Sequence, residues 1–335
     1  MSRKLKITFL ADAGVIPGGD RQLEGHPEEI ITEYHVVEAL RHLGHTVSVV
    51  GVHDDIRAIV DAITSQKPQL VFNLTEQFSG LRYMDKNIAA VLEMMQIPFT
   101  GTGTIGMMLC RDKRLCKQLL AHHRIRVPGF VSIPRGRRVR IPKSIRFPLV
   151  VKPALEDGSE GISNASLVWD ESALMERAAF VHERWEQDVI AEEYIEGREL
   201  YVSIMGNRRL VVFPMRECFL SRQGRGGPNL ATYRVKWNDA YRRKWGIEFG
   251  YADLDEKTEK RIGRVCKKVY RLLHLQDYGR IDLRLTPDGR LVILEANPNP
   301  ALAYGEEVAE SAEKAGVSYE QLIDRIIRAA LQRCQ

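Results

Sequence analysis

Tyr278 to Pro300 reads Y-G-R-I-D-L-R-L-T-P-D-G-R-L-V-I-L-E-A-N-P-N-P. Ile281, Leu283 and Leu285 alternate with Asp282, Arg284 and Thr286, the period of a half-buried strand. Pro287-Asp288-Gly289 is a turn signal and Leu291 to Leu294 is a second apolar run, so the stretch predicts a β-hairpin. Alternation places Arg280, Asp282 and Arg284 on one face of the first strand, and Glu295 and Asn297 on one face at the end of the second. Two carboxylates and an amide oxygen at the open end of one hairpin are hard donors, a set that suits Mg²⁺ or Mn²⁺. A surface hairpin with solvated charges is the plain alternative. Against it, four apolar residues run directly into Glu295-Ala296-Asn297, and a strand buried that deeply rarely ends in two such ligands without a use for them.

Working outward, Phe147 to Ala154 (F-P-L-V-V-K-P-A) is an apolar strand that ends at Lys152-Pro153. A lysine there needs a partner anion, because burying an unpaired ammonium is costly. Leu155 to Gly161 follows at once, and Gly158 and Gly161 allow backbone N–H groups to approach phosphate oxygens. Lysine plus glycine loop is a phosphate-cradling arrangement, though not the G-x-x-x-x-G-K-S/T motif. Val189 to Gly197 (V-I-A-E-E-Y-I-E-G) carries glutamates into a further strand pattern at Leu200 to Met205, so the run sits between two strands as a hinge would. On its own, that density of glutamates is as compatible with a solvated edge strand. Lys113 likewise, beside Arg111 and Arg114 in a predicted helix from Asp112 to His122, is by itself compatible with a solvated face.

These segments together resemble the ATP-grasp superfamily, in its D-alanine–D-alanine ligase-like branch. The matching pieces are Gly279-Arg280-Ile281-Asp282 with Glu295 to Pro300, Lys113 in an Asp-Lys pair, Lys152 with its loop, and Glu192 to Glu199. They occur in the family's order. The resemblance implies Asp282, Glu295 and Asn297 as ligands of Mg²⁺ (or Mn²⁺), and Arg280 as support for a reacting acyl phosphate. It implies ATP held by Lys113, Lys152, Gly158, Glu192 (at the adenine amino group), Ile195 (by its backbone) and Glu199 (at the ribose). It places Ser159 in the mobile loop and Lys236 on a substrate loop, both near the chemistry. The implied fold is α/β and α+β: a parallel-sheet domain over 1–106, a central ATP-grasp part over 107–190, and a catalytic part over 191–335. The implied activity is an ATP-dependent carboxylate–amine ligase. A phosphotransferase of the same fold and a non-catalytic nucleotide-binding protein are the alternatives. The pattern departs from D-alanine–D-alanine ligases where Ala301 follows Pro300, where Glu306 stands for a serine that meets the substrate carboxylate, and where Glu160 follows Ser159. No clear E-R-E-V-S segment opens the chain. These departures predict an acceptor other than D-alanine.

Toward the N-terminus, Leu5 to Ala11, Thr46 to Val52 and Leu70 to Leu74 read as strands. Helical patterns over Pro27 to Leu43, from an Asp54 cap to about Gln66, and over Asn87 to Met95 alternate with them, which predicts a small parallel sheet. Gly101 to Gly106 matches G-x-G-x-x-G but follows a helix and the short Ile97 to Thr100 strand, with no acidic residue at the expected distance. It reads as a glycine-rich crossover, not a dinucleotide site. Further strands are expected over Asn164 to Trp169 and Arg209 to Phe213. Helices are expected over Glu171 to Trp185, Asp255 to Leu273 and Ser318 to Gln332, the last with a Ser318–Gln321 capping box.

The chain has 335 residues, 44% hydrophobic and 28% charged, with room for two or three domains of a soluble protein. No apolar run reaches the roughly 18 residues of a membrane span. Five cysteines, odd in number and without C-x-x-C spacing, argue for a reducing cytoplasm and against a structural zinc site or a disulfide framework. A net charge of +5 is concentrated around Arg135 to Arg146 and Arg222 to Arg243, but no stacking or helix-turn-helix pattern accompanies it, which disfavours nucleic acid. Expected partners are a small carboxylate and an amine; a homodimer is compatible with the sequence.

Overall fold

Strand β1 (Lys6–Asp12) is buried along nearly its whole length and is the centre of the first sheet. The structure is a computed structural model and describes residues 4–14, 31–137, 139–220 and 230–333. After β1 come helix α1 (Ile31–His42), β2 (Thr46–Val52), α2 (Arg57–Gln66) and β3 (Leu70–Asn73). The strands pair in parallel in the order β2-β1-β3, as helix crossovers require. Helix α2 starts later than expected. Its N-cap position is Ile56, which has no side-chain cap; Asp55 accepts from the Arg57 backbone N–H at 2.9 Å, while Asp54 pairs with His53. Pro27 to Ile30, Arg138, the loop Ser221 to Asn229 and Cys334 lie outside the described residues.

Helices α3 (Asp85–Met94), α4 (Thr104–Arg111) and α5 (Lys113–His122) carry the chain across to the second sheet. The expected strand at Ile97 to Thr100 is reduced to one bridge, Val71 to Phe99. The G-x-G-x-x-G segment owes its glycines to packing. Gly101 has φ +91°, and a Cβ on Gly106 would sit 2.5 Å from the His274 carbonyl oxygen, so α4 can pass this close only with glycine there. Asp112 caps α5 by accepting from the Arg114 and Leu115 N–H groups.

The second sheet holds β4 (Phe130–Ile133), β5 (Leu149–Pro153), β6 (Leu167–Val168) and, after α6 (Glu171–Trp185), β7 (Val189–Glu193), in the order β4-β7-β5-β6. The expected strand at Asn164 to Trp169 is mostly a 3₁₀ turn, Asn164–Ser166, with only Leu167–Val168 left to pair. The third sheet runs β11-β10-β8-β12-β13, with β9 beside β8. Its members are β8 (Arg198–Met205), β9 (Val211–Val212), β10 (Arg216–Phe219), then α7 (Tyr233–Trp237), α8 (Asp239–Trp245), β11 (Glu248–Tyr251), α9 (Glu256–Leu272), β12 (Tyr278–Leu285) and β13 (Leu291–Asn297). Of the Arg209 to Phe213 strand only β9 forms. Helices α10 (Glu307–Lys314) and α11 (Tyr319–Arg333) close the chain.

Helix α11 begins with the expected capping box: Gln321 N–H donates to Ser318 Oγ at 3.3 Å, and Ser318 N–H to Gln321 Oε1 at 3.2 Å. Its apolar face, Leu322, Ile323, Ile326 and Ile327, packs on Ile7, Phe9 and Leu40 of the first sheet and α1. Each such side chain contributes about 1.5–3 kcal/mol on burial. The C-terminus is thereby tied to the start of the chain, and the last sheet is held against the first. Among the described residues no helix is long and apolar enough to cross a membrane. Cys110, Cys116, Cys218 and Cys266 are buried free thiols.

Candidate active site

The β12–β13 register sets the first part of the site. Arg280 faces Asn297 and Asp282 faces Glu295 across the ladder, with a register shift just after Asp282. All four therefore share one face at the open end of the hairpin. Arg280 chelates Asp282, with Nε to Oδ1 at 2.8 Å and Nη2 to Oδ2 at 3.1 Å. Its Nη1 donates to Glu307 Oε2 at 2.9 Å, and its guanidinium lies over the Tyr201 ring at 5.4 Å. Lys236, on the short helix α7, reaches to 3.9 Å from Asp282 Oδ2. Burial pushes the Asp282 carboxyl up to about 6, against the pull of Arg280 and Lys236. Burial acts on Glu295 the same way, but Lys236, Lys113 and Lys152 outweigh it and hold that carboxyl well below its usual range.

A second cluster meets the first from α5, β5 and β7. Glu192 lies on a central strand, not an edge, and is buried. Lys152 Nζ lies 2.9 Å from its Oε2 and Lys117 Nζ 3.2 Å from its Oε1, while Lys117 also donates to the Leu294 carbonyl at 2.5 Å. Glu192 is thus engaged by two ammonium groups. Glu199 accepts from Arg284 Nη2 at 2.5 Å and from Tyr201 OH at 2.9 Å. Lys113 is buried like its neighbours, but among the described residues it has no ion-pair partner. Burial lowers its pKa, opposed by Glu295. Lys117 escapes the sequence reading. The available signal is its position four residues after Lys113, on the same helix face. Glu307 escapes it as well, although a helix starting at Glu306 is a reading the sequence allows, and Glu306 is the N-cap of α10.

Two hollows flank these clusters. A narrow slot of about 80 Å³ runs past Lys152, Ser159, Glu192, Ile195, Glu199 and Glu295. A cavity of about 750 Å³ lies beyond the hairpin end, bordered by Arg280, Asn297, Lys236, Arg216, Gly158 and Glu306. Lys236 lines both. Ser159 Oγ donates to the Ala231 carbonyl at 2.9 Å, which fixes the glycine-rich loop between slot and cavity. Of the sequence-predicted residues, Gly158, Arg280 and Asn297 border the cavity, Lys152, Ser159, Glu192, Ile195, Glu199, Asp282 and Glu295 line the slot, and Lys236 lines both; Lys113 borders neither and reaches this group through its charge on Glu295.

A family model described as D-ala D-ala ligase C-terminus matches residues 120–328. The chain belongs to the D-alanine–D-alanine ligase family. It is 31% identical over 303 residues to the uncharacterized protein y4sG of Sinorhizobium fredii, covering 89% of this chain and 87% of that protein. It is 28% identical over 292 residues to the D-alanine–D-alanine ligase of Aquifex aeolicus, covering 87% and 92%. It is 26% identical over 250 residues to D-alanine–D-alanine ligase A of Bacillus cereus, covering 74% and 77%. The crystal structure of D-alanine–D-alanine ligase from Bacillus anthracis complexed with ATP superposes with TM-score 0.75 at 20% identity, over 98% of each chain, and shows the shared fold. The fold is ATP-grasp, and the family is one of ATP-dependent ligases that form a C–N bond with ATP and Mg²⁺.

The residues present fit both groups. A buried lysine with no ion pair among the described residues, beside two lysines sharing one glutamate, calls for an anionic ligand. Among the described residues no three His, Cys, Asp or Glu side chains converge as a metal site. The donors at the hairpin end are two carboxylates and the Asn297 amide, whose buried Nδ2 has no hydrogen-bond partner among the described residues. Mg²⁺ is commonly held by one or two carboxylates plus ligand phosphates and water, which matches that set.

Proposed function

We propose that this protein is a carboxylate–amine ligase working through an acyl phosphate, and that its acceptor is not a free amino acid bound in the manner of D-alanine. A substrate carboxylate oxygen attacks the γ-phosphorus of ATP and ADP leaves. The amine nitrogen then attacks the acyl carbon, phosphate departs with the C–O bond, and the nitrogen loses a proton. In this scheme Lys113, Lys152 and Lys236 offset phosphate charge, and Gly158 and Ser159 cover the phosphates. Glu192, Ile195 and Glu199 border the base and sugar, and Arg280 stabilises the oxyanion at the acyl carbon. Asp282, Glu295 and Asn297 would hold Mg²⁺, which supplies neutralisation of the transferring phosphoryl group. In this reading the chain divides into three parts, 1–106, 107–190 and 191–335, with the nucleotide between the last two.

The observation that carries the acceptor reading is Glu306. It lines the large cavity, and burial together with neighbouring Glu307 pushes its carboxyl up. A carboxylate at this place repels an incoming carboxylate and attracts a cation, more steeply as water is excluded. The test is phosphate release from ATP across a panel of acids and amines. Release should require both substrates. D-Alanine and other free amino acids should be poor acceptors, and Glu306→Ser should improve them. Efficient D-alanyl-D-alanine synthesis by the unmodified protein would end the acceptor reading, and a stable phosphorylated product in place of an amide would point to phosphotransfer.

A further inference from the structure

The glycine-rich loop after β5 is held from two sides. On the side of the third sheet, Trp237 Nε1 donates to the Gly158 carbonyl at 2.9 Å, and Ser159 reaches Ala231. On the other side two arginines grip Asp157. Arg82 Nη1 lies 3.1 Å from Asp157 Oδ1, and Arg111 binds Asp157 Oδ2 with one amine and Asp85 with the other. Arg82 also reaches Glu76 at 3.1 Å, and the Glu76 N–H bonds Asp12 at the end of β1. The anchored members are deeply set: the Asp85 side chain is 1% exposed and that of Arg111 9%, against 39% for Asp157. Arg82, Asp85, Arg111 and Asp157 all border the large cavity, and none borders the narrow slot.

We propose that Arg111, assisted by Arg82, is a positioning residue whose ion pair with Asp157 seats the glycine-rich loop over the nucleotide slot, so that the cavity wall nearest the first sheet controls nucleotide affinity. This rests on the ligase reading, since it requires a nucleotide in the slot. A partly exposed ion pair contributes little to folding. Its effect is expressed in binding, because a loop that must be ordered over a ligand costs less to order when it is already tethered. Occupancy of the cavity at Arg82 and Arg111, neither of which borders the slot, would then be felt in the slot.

The sign of the effect separates this from simple electrostatics. Asp157→Asn removes a negative charge that acts on Lys113, and charge alone would tighten nucleotide binding. The tether makes the opposite demand. Asp157 is the residue to change, because removing Arg111 would leave Asp85 buried without a counter-charge. With MgADP as the probe, calorimetry on the full chain should show Kd rising about tenfold in Asp157→Asn, with an unchanged melting temperature. Adding Arg82→Gln should weaken binding no further, because both changes break one linkage. Trp237 emission, isolated as the difference from Trp237→Phe, should shift to the red in nucleotide-free Asp157→Asn. Equal or tighter MgADP binding by Asp157→Asn, additive losses in the double variant, or an unmoved Trp237 signal would each overturn the inference. No MgADP binding by the unmodified protein would instead strike the ligase reading.

Discussion

The two ends of the cleft handle buried charge in opposite ways. At the hairpin end acids outnumber bases: Arg280 and Lys236 stand among Asp282, Glu295, Glu306 and Glu307. At the helix end bases outnumber acids: Lys117 and Lys152 share Glu192, and Lys113 has no ion-pair partner among the described residues. Charge left over on each side is a statement about the ligand that completes it. A surplus of carboxylate calls for a cation and a surplus of ammonium for an anion, and a metal-bound polyphosphate lying across the cleft answers both. Neither end explains itself as folding machinery, since replacing such buried groups by apolar ones is often neutral or stabilising.

The largest way to break this comparison is at Arg280, where the reacting groups are expected to meet. Arg280→Ala should lower turnover by about 10²–10³ while ATP affinity changes far less. Steady-state turnover and a binding isotherm on the same preparation check it. Equal losses in both would make Arg280 a binding residue.

A smaller effect sharpens the contrast between charges reserved for a ligand and a charge used in folding. Asp277 is buried at the junction of the crossover and the hairpin, where it accepts from Gly101 N–H and Asn207 Nδ2 at 2.9 Å. Burial pushes its carboxyl up to about 6, opposed by Arg333. The folded state therefore holds this proton more tightly than the unfolded state. The resulting stabilisation is fully present below the unfolded value near 4 and is lost as pH rises through about 6. Denaturant titrations should show the native protein gaining roughly 2–3 kcal/mol relative to Asp277→Asn between pH 7 and pH 4. A difference independent of pH would mean that Asp277 has an ordinary carboxylate pKa.

The hairpin end was legible in the sequence and the helix end only half so, for a physical reason. Arg280, Asp282, Glu295 and Asn297 lie on two strands joined by a tight turn, and period two plus the turn determines which side chains share a face. The helix end depends on partners far apart in the chain. Lys117 meets Glu192 and Leu294, and Arg111 meets Asp85 and Asp157, through tertiary packing that spacing cannot encode. Lys113 and the glutamates of β7 had an equally good solvated reading until packing buried them. Strands β10 and β11, four residues each, went unseen. Helix α4 went unseen because its glycines look like a loop, although Gly106 is there for close approach to the His274 carbonyl.

The most direct test of the two-ended cleft is nucleotide affinity with and without Mg²⁺ in three proteins: unmodified, Lys113→Met and Asp282→Asn. Calorimetric titration with ADP reads both conditions. If the helix end takes phosphate and the hairpin end takes the cation, Lys113→Met weakens ADP binding by about tenfold whether or not Mg²⁺ is present. Asp282→Asn removes the gain in affinity that Mg²⁺ confers and leaves metal-free binding at or above the level of the unmodified protein. Loss of metal-free ADP binding in Asp282→Asn, or a full Mg²⁺ gain retained by that variant, would contradict the account.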